Sequence, residues 1–388
     1  MYSESQGSLS YAGRVSTTTT LPYAERTNHW HAEPQMREVL ALALVGAALF
    51  AVTILHFRDY RATVENFGDS GAYVSVANAI RHWDFKAIHE KQFWGYSYAV
   101  AALSTVTRIP VSDSLLLVSI LSSLTSTWIV LRLWDGWAAA LFAILNFDWL
   151  QRSYLGGSEP LFALFLFASF WAARRERWIL ASCLAACATV TRPVGIFALA
   201  AIGLFLITKK RYREVLSCAA AAVALGILYI LPFWIYFGDP LYQVHRYQTA
   251  DWRSGPAITW PFYAIAQSVI HNQQPWTNML LTLAWIGLVA AGVAAIYKNR
   301  ADLARRAPVE LYFVFGYGAF LFCYNSPQWA RSEFPRFAIP ILPLVYVALK
   351  KWVGRDRRII WALGVIFPVV AACSALGIRN VVAALHGH

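Results

Sequence analysis

The sequence is poor in charge. Lys, Arg, Asp and Glu make up 14% of its 388 residues, against about 25% in a soluble domain, and that deficit excludes an ordinary water-soluble globule. It has no Gly-rich phosphate loop, no Gly-rich dinucleotide turn after a strand and no His-Glu-x-x-His pair. Nucleotide-driven, nicotinamide and zinc-protease chemistries therefore have no motif to rest on. Cysteine is scarce. Cys183, Cys187, Cys218, Cys323 and Cys373 all lie in apolar runs, without the paired spacing of a zinc site, and read as small core residues rather than disulfides. No internal repeat is evident, which excludes a solenoid. No matched pair of broken apolar segments marks an inverted-repeat transporter. No polar stretch is long enough to fold as a soluble nucleotide-sugar domain.

What is there is apolar. The chain is 58% hydrophobic with a mean hydropathy of +0.45, and its apolar residues come in long runs. The weak alternation of an outer-membrane barrel is missing. The fold class expected is an all-α polytopic membrane protein. The net charge of +12 sits in short loops between apolar runs. This is the pattern of topology determinants, so no nucleic-acid partner is expected.

Residues 1–37 are polar and Ser/Thr-rich, lack the apolar core of a secretory signal, and read as a disordered cytoplasmic tail. Segment 38–56 is the first expected span and a signal anchor. Further spans are expected at 112–131, 136–149, 159–173, 178–190, 194–208, 214–236, 277–297, 309–325, 338–350 and 359–377, about eleven in all. The run 93–106 is ambiguous, and charge decides it. The basic clusters at 174–177, 209–213, 298–306 and 350–358 lie on one side with the N-terminal tail only if 93–106 does not cross. It is read as a helix at the outer interface. The domain 38–377 then carries a first outer loop, 57–111, with interfacial helices, and a long outer loop, 237–276. The tail 378–388 lies outside. Inner loops are short and basic, so chemistry belongs to the outer face.

Within the first loop, Phe67-Gly68-Asp69-Ser70-Gly71-Ala72-Tyr73 places a carboxylate, a hydroxyl and a phenol just after a membrane helix. Asp69 reads either as the cap of the helix that follows or as a catalytic carboxylate. Three more stretches hold functional groups. The first runs from Asn146-Phe147-Asp148-Trp149, past the outer-face charge Arg152, to Gly157-Ser158-Glu159-Pro160, which opens a span. Its Glu159 suits the positive end of the helix dipole, as part of a cap led by Ser158 or as a substrate ligand. Thr191-Arg192-Pro193 is a turn too short to wander; Arg192 either snorkels to headgroups or grips a phosphate. In the segment 328–340, Arg331 and Arg336 flank Glu333, as an ion cluster satisfied within itself or as a phosphate site. In the loop 237–276, Tyr242, Tyr247 and Trp252 suit sugar stacking, and His245 is an interface histidine with a possible acid–base role.

These motifs, in this order, resemble those of the GT-C superfamily of polyprenyl- or dolichyl-phosphate-sugar-dependent glycosyltransferases. The resemblance is nearest to the branch of the glycosylphosphatidylinositol second-mannose transferases. It is carried by Gly68-Asp69-Ser70-Gly71-Ala72-Tyr73, Phe93-Trp94-Gly95-Tyr96-Ser97-Tyr98, Gly157-Ser158-Glu159-Pro160-Leu161-Phe162, Thr189-Val190-Thr191-Arg192-Pro193-Val194-Gly195 and Pro335-Arg336-Phe337. It implies a GT-C-like helical bundle and inverting transfer of a sugar, mannose in the nearest branch, from a polyprenyl-phosphate donor to a glycolipid, glycan or protein hydroxyl. The site would face the outside of a bacterial inner membrane. Asp69 would be the catalytic carboxylate; Arg192, Arg331 and Arg336 would hold the donor phosphate; Tyr73, Ser70, Glu159 and His245 would contact substrate. No metal or other cofactor is expected. The alternative weighed is a membrane transporter or lipid flippase; against it, the expected spans are almost free of charge. A scaffold subunit of a cell-envelope complex is the third reading.

Overall fold

The structure, a computed structural model, describes residues 32–248, 258–271, 276–325, 334–350 and 356–377. Among the described residues regular structure is helical, apart from one antiparallel bridge between Ile258 and Tyr324. The helices are α1 (Met36–Phe57), α2 (Tyr60–Glu65), α3 (Ser70–Arg81), α4 (Gly95–Thr107), α5 (Val111–Leu133), α6 (Gly136–Ile144), α7 (Phe147–Leu155), α8 (Ser158–Arg174), α9 (Trp178–Thr191) and α10 (Ile196–Thr208). They continue with α11 (Tyr212–Phe237), α12 (Tyr242–Gln248), α13 (Tyr263–Ile270), α14 (Trp276–Lys298), α15 (Arg300–Arg306), α16 (Pro308–Cys323), α17 (Phe334–Ala338), α18 (Leu342–Leu349) and α19 (Arg357–Leu376).

The packing is organised around α8, which lies against α5 and α9. Small residues make that closeness possible, as in membrane bundles generally. On α9, Ala181, Ala185 and Ala188 recur at helical spacing and are fully buried. On α5, buried Ser119 and Ser126 approach the first turn of α8 closely enough for their hydroxyls to donate to the carbonyls of Gly157, at 3.3 Å, and Pro160, at 3.4 Å. At about 1.5 Å per residue, the 17 residues of α8 are roughly 25 Å long.

The two ends of α8 differ in chemistry. At its C-terminal end Arg174 pairs with buried Glu310 at 2.6 Å and donates to Leu133 O. Nearby on the same helix termini, Lys350 pairs with Asp135, Arg211 with Glu176, and Arg357 with Glu38. Glu33 accepts from the Gly136 amide and Arg357 donates to the carbonyls of Ala32 and Glu33, which holds residues 32–35 against this end. Members of three of the basic clusters that the sequence places on one side of a membrane, Arg174, Arg211, Lys350 and Arg357, thus lie, with the start of α1, at one end of the bundle. Asp69, Glu159, Arg152, Arg192 and Arg336 gather at the other.

Five helices among the described residues are long and apolar enough to cross a membrane, α1, α5, α11, α14 from Met279, and α19; six if the sharply bent pair α7–α8 counts as one. α11 turns Leu216, Val223, Ile227, Leu228 and Ile235 outward, the arrangement of a helix solvated by lipid. The chain is an integral membrane protein. The remaining expected spans are apolar helices of 17 residues or fewer, or broken ones, so length alone does not give eleven. The expected span 136–149 is two helices, because Asn146 Oδ1 accepts from the Trp149 amide at 3.0 Å and starts α7 anew. The span 338–350 is interrupted by a tight turn at Ile339–Ile341 around Pro340. The run 93–106 forms α4, 13 residues long, packed on α3 and α5; at about 20 Å it is too short to cross a bilayer.

Candidate active site

The site is assembled from four turns. In the first, Phe67-Gly68-Asp69 leads into α3, with Gly68 at a φ of +49°, the left-handed region that favours glycine. Ser70 is buried, and its hydroxyl donates to Gly156 O at 2.9 Å, pinning the start of α3 to the α7–α8 turn. In that second turn the chain bends by 106° between α7 and α8. Gly156 has a φ of +93°, and a Cβ there would fall 2.0 Å from Leu115 Cδ2. Ser158 and Glu159 then face back toward α3. The third turn ends α9 at Arg192, whose extended backbone is followed by Pro193. The fourth is α17, tied down by Asn146, which donates to Pro335 O at 2.9 Å, and by Tyr317, which donates to Phe337 O at 2.8 Å. It delivers Arg336.

Asp69 occupies the cap position of α3, but its carboxylate makes no cap hydrogen bond. Instead Oδ2 accepts from Arg336 Nη2 at 3.0 Å and Oδ1 from Gln92 Nε2 at 3.2 Å. Arg336 Nε also donates to Glu159 Oε1, the atom that Arg192 Nη1 reaches at 2.5 Å. Arg192 further donates to Ser158 Oγ at 3.2 Å, and the same hydroxyl accepts from Tyr73 OH at 2.9 Å. One network therefore runs from Gln92 through Asp69, Arg336, Glu159, Arg192 and Ser158 to Tyr73. Ser158 does not cap α8; it receives the phenol and the guanidinium. Arg336 pairs with Asp69 and Glu159, both outside its own segment.

The two carboxylates are not equivalent. Glu159 has a side chain 2% exposed, Asp69 32%, and the two arginines 13% each. Glu159 is sealed beneath the guanidiniums, whereas Asp69 stands at the surface of the cluster. Burial pushes the Asp69 carboxyl up, but the neighbouring Arg336 and Arg152 guanidiniums outweigh it and hold the group below the usual carboxylate range. Burial, reinforced by Asp69 and Glu159, pushes the Tyr73 phenol up to about 12, so it remains a proton donor. A narrow cleft of about 10 Å³, room for roughly one water molecule, begins at Glu159, Arg192 and Arg336 and is walled by Phe162, Val194, Tyr317, Phe337, Ile339 and Pro340.

Of the residues expected from the sequence, Asp69, Ser70, Tyr73, Glu159, Arg192 and Arg336 come together. His245, its side chain 56% exposed, pairs through Nδ1 with Asp239 Oδ2 at 2.8 Å on the approach to α12. Arg331 and Trp252 lie outside the described residues, as does the Tyr247 side chain. Two site residues had no assigned role. Gln92 follows the interfacial turn after α3, and its backbone carbonyl accepts from Gln243 of α12 at 2.6 Å. Arg152, on α7, packs over the Phe67 ring at 4.8 Å; in the sequence it is one of the outer-face charges, within the stretch 146–160, without a role.

No protein-family model matches the sequence. No curated protein matches it. Among solved structures, the chain is similar to the Archaeoglobus fulgidus oligosaccharyltransferase in its apo form, with a TM-score of 0.46 and 13% identity over 90% of this chain and 56% of that one. It is likewise similar to the archaeal oligosaccharyltransferase AglB from Archaeoglobus fulgidus in complex with an inhibitory peptide and a dolichol-phosphate, with a TM-score of 0.46 and 13% identity over 87% of this chain and 56% of that one. The chain spans about half the length of these structures, 56% of each.

Proposed function

We propose that this chain is an inverting glycosyltransferase of the GT-C type, moving a sugar from a polyprenyl-phosphate donor to an acceptor hydroxyl at the extracytoplasmic face. The observation that carries the reading is the convergence of the partly exposed Asp69 with Arg336 and the buried Glu159–Arg192 pair beside a narrow cleft with apolar walls. The basic clusters at the opposite end of the bundle support the orientation, since Lys- and Arg-rich short loops stay in the cytoplasm.

The acceptor oxygen attacks the anomeric carbon from one face while the bond to the phosphate oxygen breaks on the other. The electron pair leaves with the lipid phosphate, and the acceptor proton passes to Asp69. Such proton transfer contributes about 10²–10⁴-fold. Arg336 and Arg192, with Arg331 expected beside them, hold the phosphate as its charge grows. A retaining route calls for a second free carboxylate as nucleophile, and Glu159 is bound by two guanidiniums. Arg336 links binding to basicity. While it holds Asp69 it depresses that carboxylate's basicity; as the donor phosphate draws it away, Asp69 becomes the stronger base. Ser70 and Tyr73 are committed to Gly156 O and Ser158, so in this reading they position the turn and the network. Mannose is the sugar suggested by the resemblance, and a bacterial inner membrane the expected location.

The test is a donor panel. Purified protein with membrane lipids as acceptor is offered radiolabelled polyprenyl-phosphate mannose, polyprenyl-phosphate glucose and the corresponding nucleotide sugars. Transfer from a lipid-linked donor with inversion at the anomeric carbon is expected. Transfer from the nucleotide sugars alone, or retained configuration, would overturn the reading.

A further inference from the structure

Arg152 is unlike the other guanidiniums of the site. Arg192 and Arg336 donate to Glu159, Asp69 and Ser158. The Nε and Nη1 atoms of Arg152 are buried and have no hydrogen-bond partner among the described residues. Glu159 Oε2, buried in the same place, has none either. Leaving such charged groups unsatisfied away from water is costly, so their survival side by side points to a task.

The surroundings are shaped for this side chain. A Cβ on Gly157 would lie 2.8 Å from Arg152 Cδ and 2.8 Å from Glu159 Oε2; a Cβ on Gly68 would lie 2.9 Å from Arg152 Nη1. Two glycines, one beside Asp69 and one beside Ser158, thus leave a channel through which Arg152 passes. The Phe67 ring supports its guanidinium at 4.8 Å. Among the described residues the cluster holds three guanidiniums and two carboxylates. One positive charge is left over, and it belongs to the arginine with free donors.

We propose that Arg152 is a phosphate seat: it takes the phosphate of the lipid-linked donor, while Glu159 Oε2 accepts a hydroxyl of the attached sugar. Empty donors beside an empty acceptor complement a sugar phosphate, which offers phosphate oxygens and hydroxyls close together. The proposal rests on the glycosyl-transfer reading for the identity of the ligand, but not for the existence of the seat.

The probe is decyl phosphate, titrated into the purified full-length protein in detergent and followed by thermal melting, with decanol and inorganic phosphate as separate arms. Decyl phosphate is expected to raise the melting temperature and decanol to leave it unchanged. Inorganic phosphate acting as strongly would place the affinity in the phosphate alone; a weaker response would add the apolar walls of the cleft; both support the seat. Arg152→Gln is expected to weaken the apparent affinity at least tenfold and to lower the ligand-free melting temperature far less than Glu159→Gln does, since Nε and Nη1 make no hydrogen bond and only the Phe67 contact and the charge beside the carboxylates are lost. Arg152→Lys, which keeps charge but loses the planar donors, should fall between. Arg61→Gln, in the exposed pair with Asp113, should titrate like the wild type. A wild type that ignores decyl phosphate, or an Arg152→Gln protein that binds it normally, overturns the proposal. So does a fall in ligand-free melting temperature for both Arg152 variants as large as that of Glu159→Gln, which would assign the residue to the fold. If binding depends on Arg152 but no lipid-linked sugar is transferred, the seat stands and the glycosyltransferase reading falls. If transfer proceeds in Arg152→Gln with an unchanged KM for the donor, the reading stands and the seat falls.

Discussion

Glu159 and Asp69 divide the work of the site between structure and chemistry, and single substitutions separate the two. Glu159 is sealed and neutralises Arg192 and Arg336 together. Removing one partner of a buried ion pair costs about 3–5 kcal/mol, so Glu159→Gln is expected to lower the melting temperature sharply; a melting curve like that of the wild type would show that the arginines do not depend on it. Asp69 is partly exposed, and Arg336 keeps Glu159 when Asp69 is neutralised. Its stabilising effect depends on pH with a definite sign. The folded carboxyl ionises at lower pH than the unfolded one, so its contribution is present above roughly pH 4 and lost as pH falls through the folded value. The difference in melting temperature between wild type and Asp69→Asn should therefore hold steady near neutrality and close below about pH 4. A difference that widens on acidification contradicts the pairing with Arg336. Asp69, Glu159, Arg192 and Arg336 were all legible in the sequence, because each sits in a short motif at the end of an apolar run. The cap reading of Asp69 failed because Arg336, 267 residues away in sequence, claims the carboxylate. Gln92 had no such local mark, and Arg152, one of the outer-face charges within the stretch 146–160, had no role until the fold gave it neighbours.

At the scale of elements, the site depends on how sharply α7 gives way to α8. The 106° bend aims Glu159 at α3 and leaves Arg152 on the other limb. Gly156 makes the bend, with a φ of +93° and no room for a Cβ beside Leu115. Gly156→Ala combines backbone strain with overpacking and should destabilise the protein by about 1–3 kcal/mol. Chemical denaturation of the variant tests this, and an unchanged midpoint would mean that α5 yields. Helices were readily legible from apolar runs, and the run 93–106, expected as an interfacial helix, forms the 13-residue α4. The breaks were less so. A run such as 136–149 has no proline, and its interruption turns on Asn146 capping a new helix, a choice that depends on the packing of α6 and α7.

For the whole molecule, the segregation of charge is the organising fact. Lys350, Arg174, Arg211 and Arg357 find their acidic partners at one end, and Asp69, Glu159, Arg192 and Arg336 find one another at the other. The sequence foretold that polarity from loop charge alone, because loops between spans must emerge on one side or the other. It did not foretell that loops separated by more than a hundred residues would close into one network, since that contact is set by helix packing. The most direct test of the account is the initial rate of sugar transfer from a polyprenyl-phosphate donor by wild type and Asp69→Asn, both shown to be folded by their melting curves. The account predicts a loss of about 10²-fold or more in the variant; transfer at the wild-type rate would contradict it.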